Sequence, residues 1–220
     1  MREIAIGDIH GCVHTLRQML ELLCPEPKDR IIFLGDYVDR GPFSAEVIEE
    51  LLSFGMMFPK TVFLKGNHED MMLRCISGEE EWVDSFVLNG GLQTIESYKH
   101  LFGGEGFDAV PEKHVSFLRT LPTFHESELA YYVHAGFCPG LDPGKDTDEN
   151  RLWIRDPFLR AEHDFGKLVV HGHTPKKEPF RGLYRAGIDT GCVFGNKLTA
   201  YIVTEDKFVF VPISELDRTP

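Results

Sequence analysis

Residues 31–41 read IIFLGDYVDRG, and the fold can be worked out from this stretch. The apolar run at 31–34 predicts a buried strand that ends at a glycine. A tight turn follows and carries two carboxylates and a guanidinium, from Asp36, Asp39 and Arg40. Open α/β sheets bind their ligands at the carboxyl ends of their strands. The stretch therefore predicts a strand whose C-terminal turn does the chemistry.

The same pattern occurs once before this stretch and once after it. The apolar run at 4–6 leads into GDIHG at 7–11, and the run at 62–64 leads into GNHE at 66–69. Each turn is followed by apolar residues at helical spacing. Three strand–turn–helix units in succession predict neighbouring parallel strands joined by helical crossovers. Each turn also contributes side chains able to bind a metal, which is the first indication of function.

The later half of the chain is richer in strand-forming sequence. Apolar runs at 130–133 and 168–170 lead into HAG at 134–136 and HGHTP at 171–175, and residues 184–211 continue with short β-like segments. We predict an α/β (α+β) fold in which two sheets pack face to face with helices outside. We expect one domain over residues 1–220, with a helical cap-like insertion at about 79–122.

Composition excludes several classes of protein. The 220 residues are 42% hydrophobic and 26% charged, as expected for a globular protein. The net charge of -12 disfavours binding to nucleic acid or to a membrane surface, because both select basic protein surfaces. Five cysteines without a CxxC pair indicate reduced thiols. We therefore expect a cytoplasmic protein with neither a nucleic-acid nor a membrane partner.

Six polar residues follow the predicted strands closely and form a candidate set of metal ligands. Two carboxylates, three imidazoles and one amide oxygen suit a pair of divalent cations of intermediate hardness. We expect manganese, with iron, zinc or magnesium as alternatives, and a bridging role for the central carboxylate. Two such ions about 3.5–4 Å apart can activate water as a hydroxide nucleophile. The six residues are Asp8, His10, Asp36, Asn67, His134 and His173.

Phosphoryl transfer also needs positively charged groups that bind the non-bridging phosphoryl oxygens, and an acid that protonates the leaving group. Arg40 and Arg155 are candidates for the first role, although a surface salt bridge would also explain Arg155. His68 is the candidate acid, because it follows the predicted ligand Asn67. Asp39 could accept a hydrogen bond from the other ring nitrogen of His68 and raise its pKa.

Taken together, GDIHG, the turn at 35–41, GNHE, HAG and GHTP resemble the phosphoprotein phosphatase family of binuclear metallophosphoesterases. The similarity is greatest to the short bacterial and phage serine/threonine phosphatases. It implies the calcineurin-like metallophosphoesterase fold, a central β-sandwich flanked by helices. It also implies the six ligands named above, His68 with Asp39 as the acid pair, Arg40 on phosphate, and Arg155 as the second arginine.

This resemblance implies metal-dependent hydrolysis of phosphoserine and phosphothreonine in protein substrates by a metal-bridging hydroxide. An alternative arises at residues 189–192, where Asp-Thr-Gly-Cys resembles the related symmetrical diadenosine tetraphosphate hydrolases. Such an enzyme would use the same site on a dinucleoside polyphosphate. A third possibility is a phosphate-sensing module without turnover, which the complete set of six candidate ligands disfavours.

Overall fold

The structure is a computed structural model that describes residues 1–218, so the last two residues of the predicted domain lie outside the described residues. Within that range the chain forms two five-stranded sheets and eight α-helices. The strands are β1 (Glu3–Ile6), β2 (Arg30–Phe33), β3 (Val62–Phe63), β4 (Phe124–Glu126), β5 (Ala130–Val133), β6 (Leu168–His171), β7 (Phe180–Arg181), β8 (Arg185–Gly187), β9 (Lys197–Ile202) and β10 (Lys207–Pro212). The helices are α1 (Val13–Leu23), α2 (Ser44–Met57), α3 (Asn67–Ile76), α4 (Val83–Leu88), α5 (Gly91–Phe102), α6 (Glu112–Arg119), α7 (Asp148–Trp153) and α8 (Asp156–Leu159).

The first sheet has the strand order β10-β9-β1-β2-β3. The strands β1, β2 and β3 are parallel neighbours, with Ile4 opposite Ile31 and Ile32 opposite Val62. This arrangement confirms the prediction from the three repeated units. Helices α1 and α2 connect these strands, because parallel neighbouring strands need a crossover segment between them.

The second sheet has the order β4-β5-β6-β8-β7. Its three central strands are parallel, and the edge strands β4 and β7 are antiparallel to their neighbours. The later half of the chain does not stay in this sheet, in contrast to the simple division expected from sequence. The strands β9 and β10 return to the first sheet, where β9 pairs antiparallel with β1 and covers its open edge.

The two sheets lie face to face, and the alternation of side chains along each strand explains why. Ile4 and Ile6 point to the helices on one face of β1, whereas Ala5 points to the second sheet. Ile32 and Leu34 join Ala5 in the layer between the sheets. The predicted β-sandwich flanked by helices is therefore confirmed. The longest α-helix, α2, has 14 residues, and no helix within residues 1–218 is long and apolar enough to cross a bilayer.

The stretch at about 79–122 contains α4, α5 and α6. Helix α5 lies against α2. Its residue Thr94 is fully buried and contacts the turn after β2, so this stretch contributes to the site. Its description as a cap-like insertion stays a prediction.

Candidate metal centre

Several residues in the turns at the carboxyl ends of the strands have an unusual backbone conformation. His10, Asp36, Asp39, Arg40 and His173 have φ angles of 47°, 54°, 71°, 69° and 65°. Residues other than glycine seldom adopt positive φ, and each such residue costs on the order of 1–3 kcal/mol. All five belong to the predicted site, so the surrounding structure holds these turns in a geometry that serves their side chains.

Glu69, the third residue of α3, anchors the turn after β2. Its carboxylate is fully buried and accepts hydrogen bonds from the backbone N–H groups of Asp36 (2.9 Å), Tyr37 (2.7 Å) and Gly66 (2.8 Å). Burial, together with the neighbouring charge of Asp36, raises the pKa of Glu69 to about 7. Sequence reasoning used Glu69 only as part of a family resemblance. Its position three residues after Gly66, which directly precedes α3, is the sequence signal that could have identified this anchoring role.

Asp36 lies at the centre of the cluster, and its role as a bridging carboxylate stays a prediction. Its Oδ2 is 3.4 Å from His10 Nε2 and 3.8 Å from His68 Nε2, and its Oδ1 is 3.4 Å from His134 Nε2. Burial works against the charged carboxylate, but the surrounding imidazoles outweigh it and hold the pKa of Asp36 well below its usual range. The central carboxylate is therefore an anion among nitrogen donors.

Asn67, His134 and His173 converge on the other side of Asp36. Asn67 Oδ1 is 2.8 Å from His134 Nε2 and 2.9 Å from His173 Nδ1. His134 Nδ1 is 2.9 Å from the Leu34 carbonyl oxygen, so it carries the proton and leaves Nε2 as a lone-pair donor. The Nε2 atom of His173 is buried without a hydrogen-bond partner among the described residues. The Nδ1 atom is the ring nitrogen of His173 that faces Asn67 and His134, so a metal ion in this group would bind Nδ1 and leave the ring proton on Nε2.

Asp8 lies at the margin of the cluster. Its Oδ2 accepts the backbone N–H of His173 at 3.0 Å, and burial raises its pKa with help from the charges of Asp189 and Asp36. Gly172 makes room for this carboxylate, because a Cβ at residue 172 would lie 2.0 Å from Asp8 Oδ1. The contact joins the turn after β1 to the turn after β6.

Two groups of ligand-type side chains have all their candidate ligand atoms within 4.8 Å of one another, and they share Asp36. The first group contains His68 where the sequence predicted Asp8. In both groups a carboxylate lies beside imidazole nitrogens, and burial lowers the pKa of His10 in the first group and of His134 in the second. This donor chemistry fits two divalent cations. The groups are His10, Asp36, His68 and Asp36, His134, His173.

His68 and Asp39, the predicted acid pair, contact each other, and their role as an acid stays a prediction. His68 Nδ1 is 2.7 Å from Asp39 Oδ2, and Thr94 donates to Asp39 Oδ1 at 2.7 Å. Burial lowers the pKa of His68, but the charge of Asp36 and the hydrogen bond to Asp39 outweigh that effect and raise it. His68 can therefore carry a proton into the site. Sequence reasoning missed Thr94, which lies 55 residues from Asp39 and reaches it only through the fold.

Arg40 brings its guanidinium into the site. Its Nη1 is 2.6 Å from His10 Nε2, and its backbone N–H donates to the Gly90 carbonyl oxygen at 3.0 Å. The guanidinium carbon also lies 5.2 Å from the centre of the Phe194 ring. The side chain thus contacts His10 and Phe194, and its positive charge lies beside a candidate ligand.

Arg155 is exposed and precedes α8. It forms no ion pair within residues 1–218, so the alternative of a surface salt bridge finds no support there. Burial lowers the pKa of His173 to about 2, and the positive charge of Arg155 contributes to that shift. The positive charge of Arg155 therefore lies close enough to the cluster to influence the protonation of His173.

Asp189 is a further candidate that sequence reasoning did not place in the site. It follows β8, is 8% exposed, and has its pKa raised to about 6 by burial and by the charge of Asp36. Its position at another strand end was the available signal. His171, by contrast, packs edge-on against Phe158 with ring centroids 5.0 Å apart, which agrees with a supporting role.

The fold and this cluster define a class of protein. The family model described as calcineurin-like phosphoesterase matches residues 1–211. The chain belongs to this family of metallophosphoesterases, which are hydrolases that use divalent metal ions.

Several curated relatives match almost the whole chain. An asymmetrical bis(5'-nucleosyl)-tetraphosphatase PrpE of Oceanobacillus iheyensis is 31% identical over 94% of this chain and 90% of its own length. The protein of the same name from Bacillus thuringiensis is 27% identical over 97% and 95% of the two chains.

Solved structures share the fold. One, described as a candidate diadenosine tetraphosphatase, has a TM-score of 0.75 at 20% identity, and the match covers 97% of this chain and 94% of that one. A serine/threonine phosphatase from Saccharomyces cerevisiae has a TM-score of 0.69 at 14% identity and covers 100% and 81%. At these identities the similarity concerns the fold alone.

Proposed function

We propose that this metallophosphoesterase hydrolyses dinucleoside tetraphosphates asymmetrically, to a nucleoside triphosphate and a nucleoside monophosphate. The observation that carries the proposal is the match over nearly the full chain to relatives named for this activity. These relatives support the dinucleotide alternative better than the phosphoprotein substrate first expected. The relatives are named for asymmetrical cleavage, so we propose that mode in place of the symmetrical cleavage suggested by residues 189–192.

The proposed ligands divide into two sets that share the central carboxylate. Bound divalent ions, manganese in our proposal, supply Lewis acidity that polarises a phosphoryl oxygen and lowers the pKa of water. Glu69 fixes the backbone of Asp36, and Gly172 leaves space for Asp8, so the chain prepares both sets. The sets are Asp8, His10 and Asp36 for one ion, and Asp36, Asn67, His134 and His173 for the other.

The remaining side chains act on the substrate. Arg40 and Arg155 place positive charge where the non-bridging oxygens of the polyphosphate would lie, and guanidinium groups bind such oxygens in pairs. His68 carries the proton for the departing oxygen, and Asp39 holds its other nitrogen. A nucleotide phosphate is a good leaving group, so this proton matters less for a dinucleotide than for an alkyl phosphate.

The products of hydrolysis test the proposal. Purified, manganese-loaded protein is incubated with diadenosine tetraphosphate, and the nucleotides are separated by ion-exchange chromatography. ATP and AMP in equal amounts are expected, whereas ADP as the product would show symmetrical cleavage. The Asp36→Asn variant serves as the control for contaminating hydrolases, because it removes the carboxylate common to both ligand sets.

A serine/threonine phosphatase is the second candidate, and the buried His68–Asp39 pair is the observation that favours it. A serine alkoxide is a poor leaving group and benefits most from a positioned acid. In the same buffer, kcat/KM on a phosphoserine peptide should be lower than on diadenosine tetraphosphate. A preference for the peptide would overturn the dinucleotide proposal and make phosphorylated proteins the partners of this enzyme.

A further inference from the structure

We propose that a cleft lined by both tryptophans of the chain, here called the tryptophan cleft, binds one nucleoside of the substrate. The cleft has a volume of about 670 Å³ and is lined by Lys65, Arg74, Trp82, Asp148, Glu149 and Trp153, among others. This inference rests on the proposed dinucleotide activity for the identity of the ligand. It concerns the part of the substrate that the metal centre does not touch.

The tryptophan cleft adjoins the metal centre. The ring centroid of Trp153 is 6.3 Å from that of His173, which is a proposed metal ligand. Lys65 lies two residues before Asn67, which is the first residue of α3 and a proposed metal ligand. A volume of this size lies within the range of about 300–1,000 Å³ that is typical of small-molecule sites. A substrate whose phosphates lie at the metal centre can therefore extend a nucleoside into the cleft.

The two indoles form an aromatic surface inside the cleft. Trp82 and Trp153 have ring centroids 6.2 Å apart with 41° between their planes, and both side chains are only partly buried. The guanidinium of Arg74 lies 4.6 Å from the centre of the Trp82 ring and holds that ring on one side. Stacking of a base on an aromatic side chain contributes about 1–3 kcal/mol. Partly exposed indoles in a concave site offer a planar base such contact.

The charges of the cleft suit the neutral part of a nucleotide better than its phosphates. The lining carries three carboxylates, of Asp70, Asp148 and Glu149, against the two positive charges of Lys65 and Arg74. Arg74 is paired with Asp70 at 2.8 Å, and Asp148 is paired with Arg151 at 3.0 Å. Carboxylates accept hydrogen bonds from ribose hydroxyls and from the amino group of adenine, and they repel phosphate. The lining therefore favours a base and its ribose here, with the polyphosphate directed toward the arginines at the metal centre.

Intrinsic fluorescence tests the proposal directly, because the chain has two tryptophans and both line this cleft. Adenosine, which has no phosphate, is titrated into the manganese-loaded protein while tryptophan emission is recorded. A saturable change in emission is expected. Trp82→Leu should weaken adenosine binding about tenfold, in line with the loss of one stacking contact. Trp82→Phe should restore part of the affinity, and Phe210→Leu, an exposed aromatic residue on β10, should change nothing.

Kinetics give a second readout. In the Trp82→Leu variant, KM for diadenosine tetraphosphate should rise about tenfold more than KM for p-nitrophenyl phosphate, which has no nucleoside. No response to adenosine, with an unchanged KM ratio in an active enzyme, would overturn the subsite and leave the dinucleotide activity standing. A response to a phosphoserine peptide but not to adenosine would also overturn it. Adenosine binding without hydrolysis of the tetraphosphate would instead overturn the proposed function alone.

Discussion

Glu69 and Thr94 never reach the substrate in our proposal, yet they hold the residues that do. Glu69 accepts hydrogen bonds from four backbone N–H groups, three in the turn after β2 and one at Gly66, just before α3. Thr94 donates to Asp39, which in turn holds His68. At the scale of residues, the site consists of side chains that face the substrate and side chains that fix them.

The role of His68 can be tested by His68→Asn. The variant should lower kcat on a phosphoserine peptide by about 100-fold or more, because general acids contribute about 10²–10⁴-fold. The loss on diadenosine tetraphosphate should be smaller, since its leaving group needs less protonation. Steady-state kinetics on both substrates give the comparison.

Two controls belong to this experiment. Elemental analysis should find the metal content of His68→Asn unchanged, and His100→Asn, at an exposed histidine of α5, should keep full activity. Equal losses on both substrates together with lost metal would show that His68 is a ligand, as its place in the first group of ligand-type side chains would allow.

The candidate ligands could be predicted from sequence because each follows a predicted strand, and strand ends converge at one edge of a sheet. The structure brings Asp36, Asn67, His134 and His173 together, and their role in metal binding stays a prediction. Thr94 could not be placed in the same way, because its role depends on a contact with Asp39 across 55 positions, and no local pattern encodes such a contact. Glu69 and Asp189 had local signals, but those signals do not identify the residues that the two carboxylates contact.

At the scale of elements, the turns after β1 and β6 depend on each other. The carboxylate of Asp8 occupies the space beside Gly172 that any side chain would need. The parallel pairing of β1, β2 and β3 followed from their repeated units, whereas the return of β9 and β10 to the first sheet did not. An edge strand can be covered by any suitable segment, so its partner is decided by the whole fold.

Gly172→Ala tests the dependence between these turns. The new Cβ would lie 2.0 Å from Asp8 Oδ1, so the carboxylate must move. We expect manganese affinity, measured by isothermal titration calorimetry, to fall about tenfold or more, as for other disturbances of ligand position. Gly144→Ala is the matched control, because its Cβ would meet only Asp142 Oδ1 on an exposed side chain at 3.1 Å. Unchanged affinity in Gly172→Ala would remove Asp8 from the proposed ligands.

A partly buried contact between Arg2, just before β1, and Asp29, just before β2, gives a prediction about how stability depends on pH. Asp29 is 1% exposed and accepts hydrogen bonds from Arg2 Nε at 3.0 Å and from the Arg2 backbone N–H at 2.8 Å. Burial opposes its charge, but these hydrogen bonds prevail and lower its pKa to about 2, against an ordinary 3.8. The ionised form is therefore favoured by folding. Its contribution is complete above about pH 4 and is lost as the pH falls toward 2.

Asp29→Asn should accordingly lower the free energy of unfolding by about 2 kcal/mol at neutral pH. Urea denaturation at a series of pH values should show this difference shrinking below pH 4. Asp108→Asn, at an exposed aspartate, should behave like the unaltered chain throughout. A difference that stays constant down to pH 2 would show that the stabilisation does not depend on the carboxylate charge.

At the scale of the whole molecule, the candidate site lies across both sheets. Asp36 and Asn67 follow strands of the first sheet, while His134 and His173 follow strands of the second. Ions held by all four would connect the two layers of the sandwich. Metal binding should therefore stabilise the entire domain, since the ligands come together only when both sheets are in place.

Manganese should raise the Tm of the metal-free protein. At a free concentration about 100 times Kd, a single ion adds about 2.7 kcal/mol to the free energy of unfolding. Differential scanning calorimetry with and without manganese measures this, and EDTA should reverse it. The Asp36→Asn variant should show little response, because it lacks the carboxylate common to both proposed ligand sets. A shift of equal size in that variant would place the stabilising ions elsewhere.

The contact between Asp8 and the backbone of His173 joins residues separated by 165 positions. The N-terminal turn of α1 is likewise completed by Asp217, whose carboxylate accepts the N–H of Thr15 across 202 positions. During synthesis on the ribosome, the segments that supply the early ligands emerge long before their late partners. A nascent chain that ends just before His173 has five of the six proposed ligands and an open sheet edge beside β1. The ligand set that we propose is therefore completed only when β6 and His173 have been made, and until β9 is made the edge of β1 stays open to aggregation.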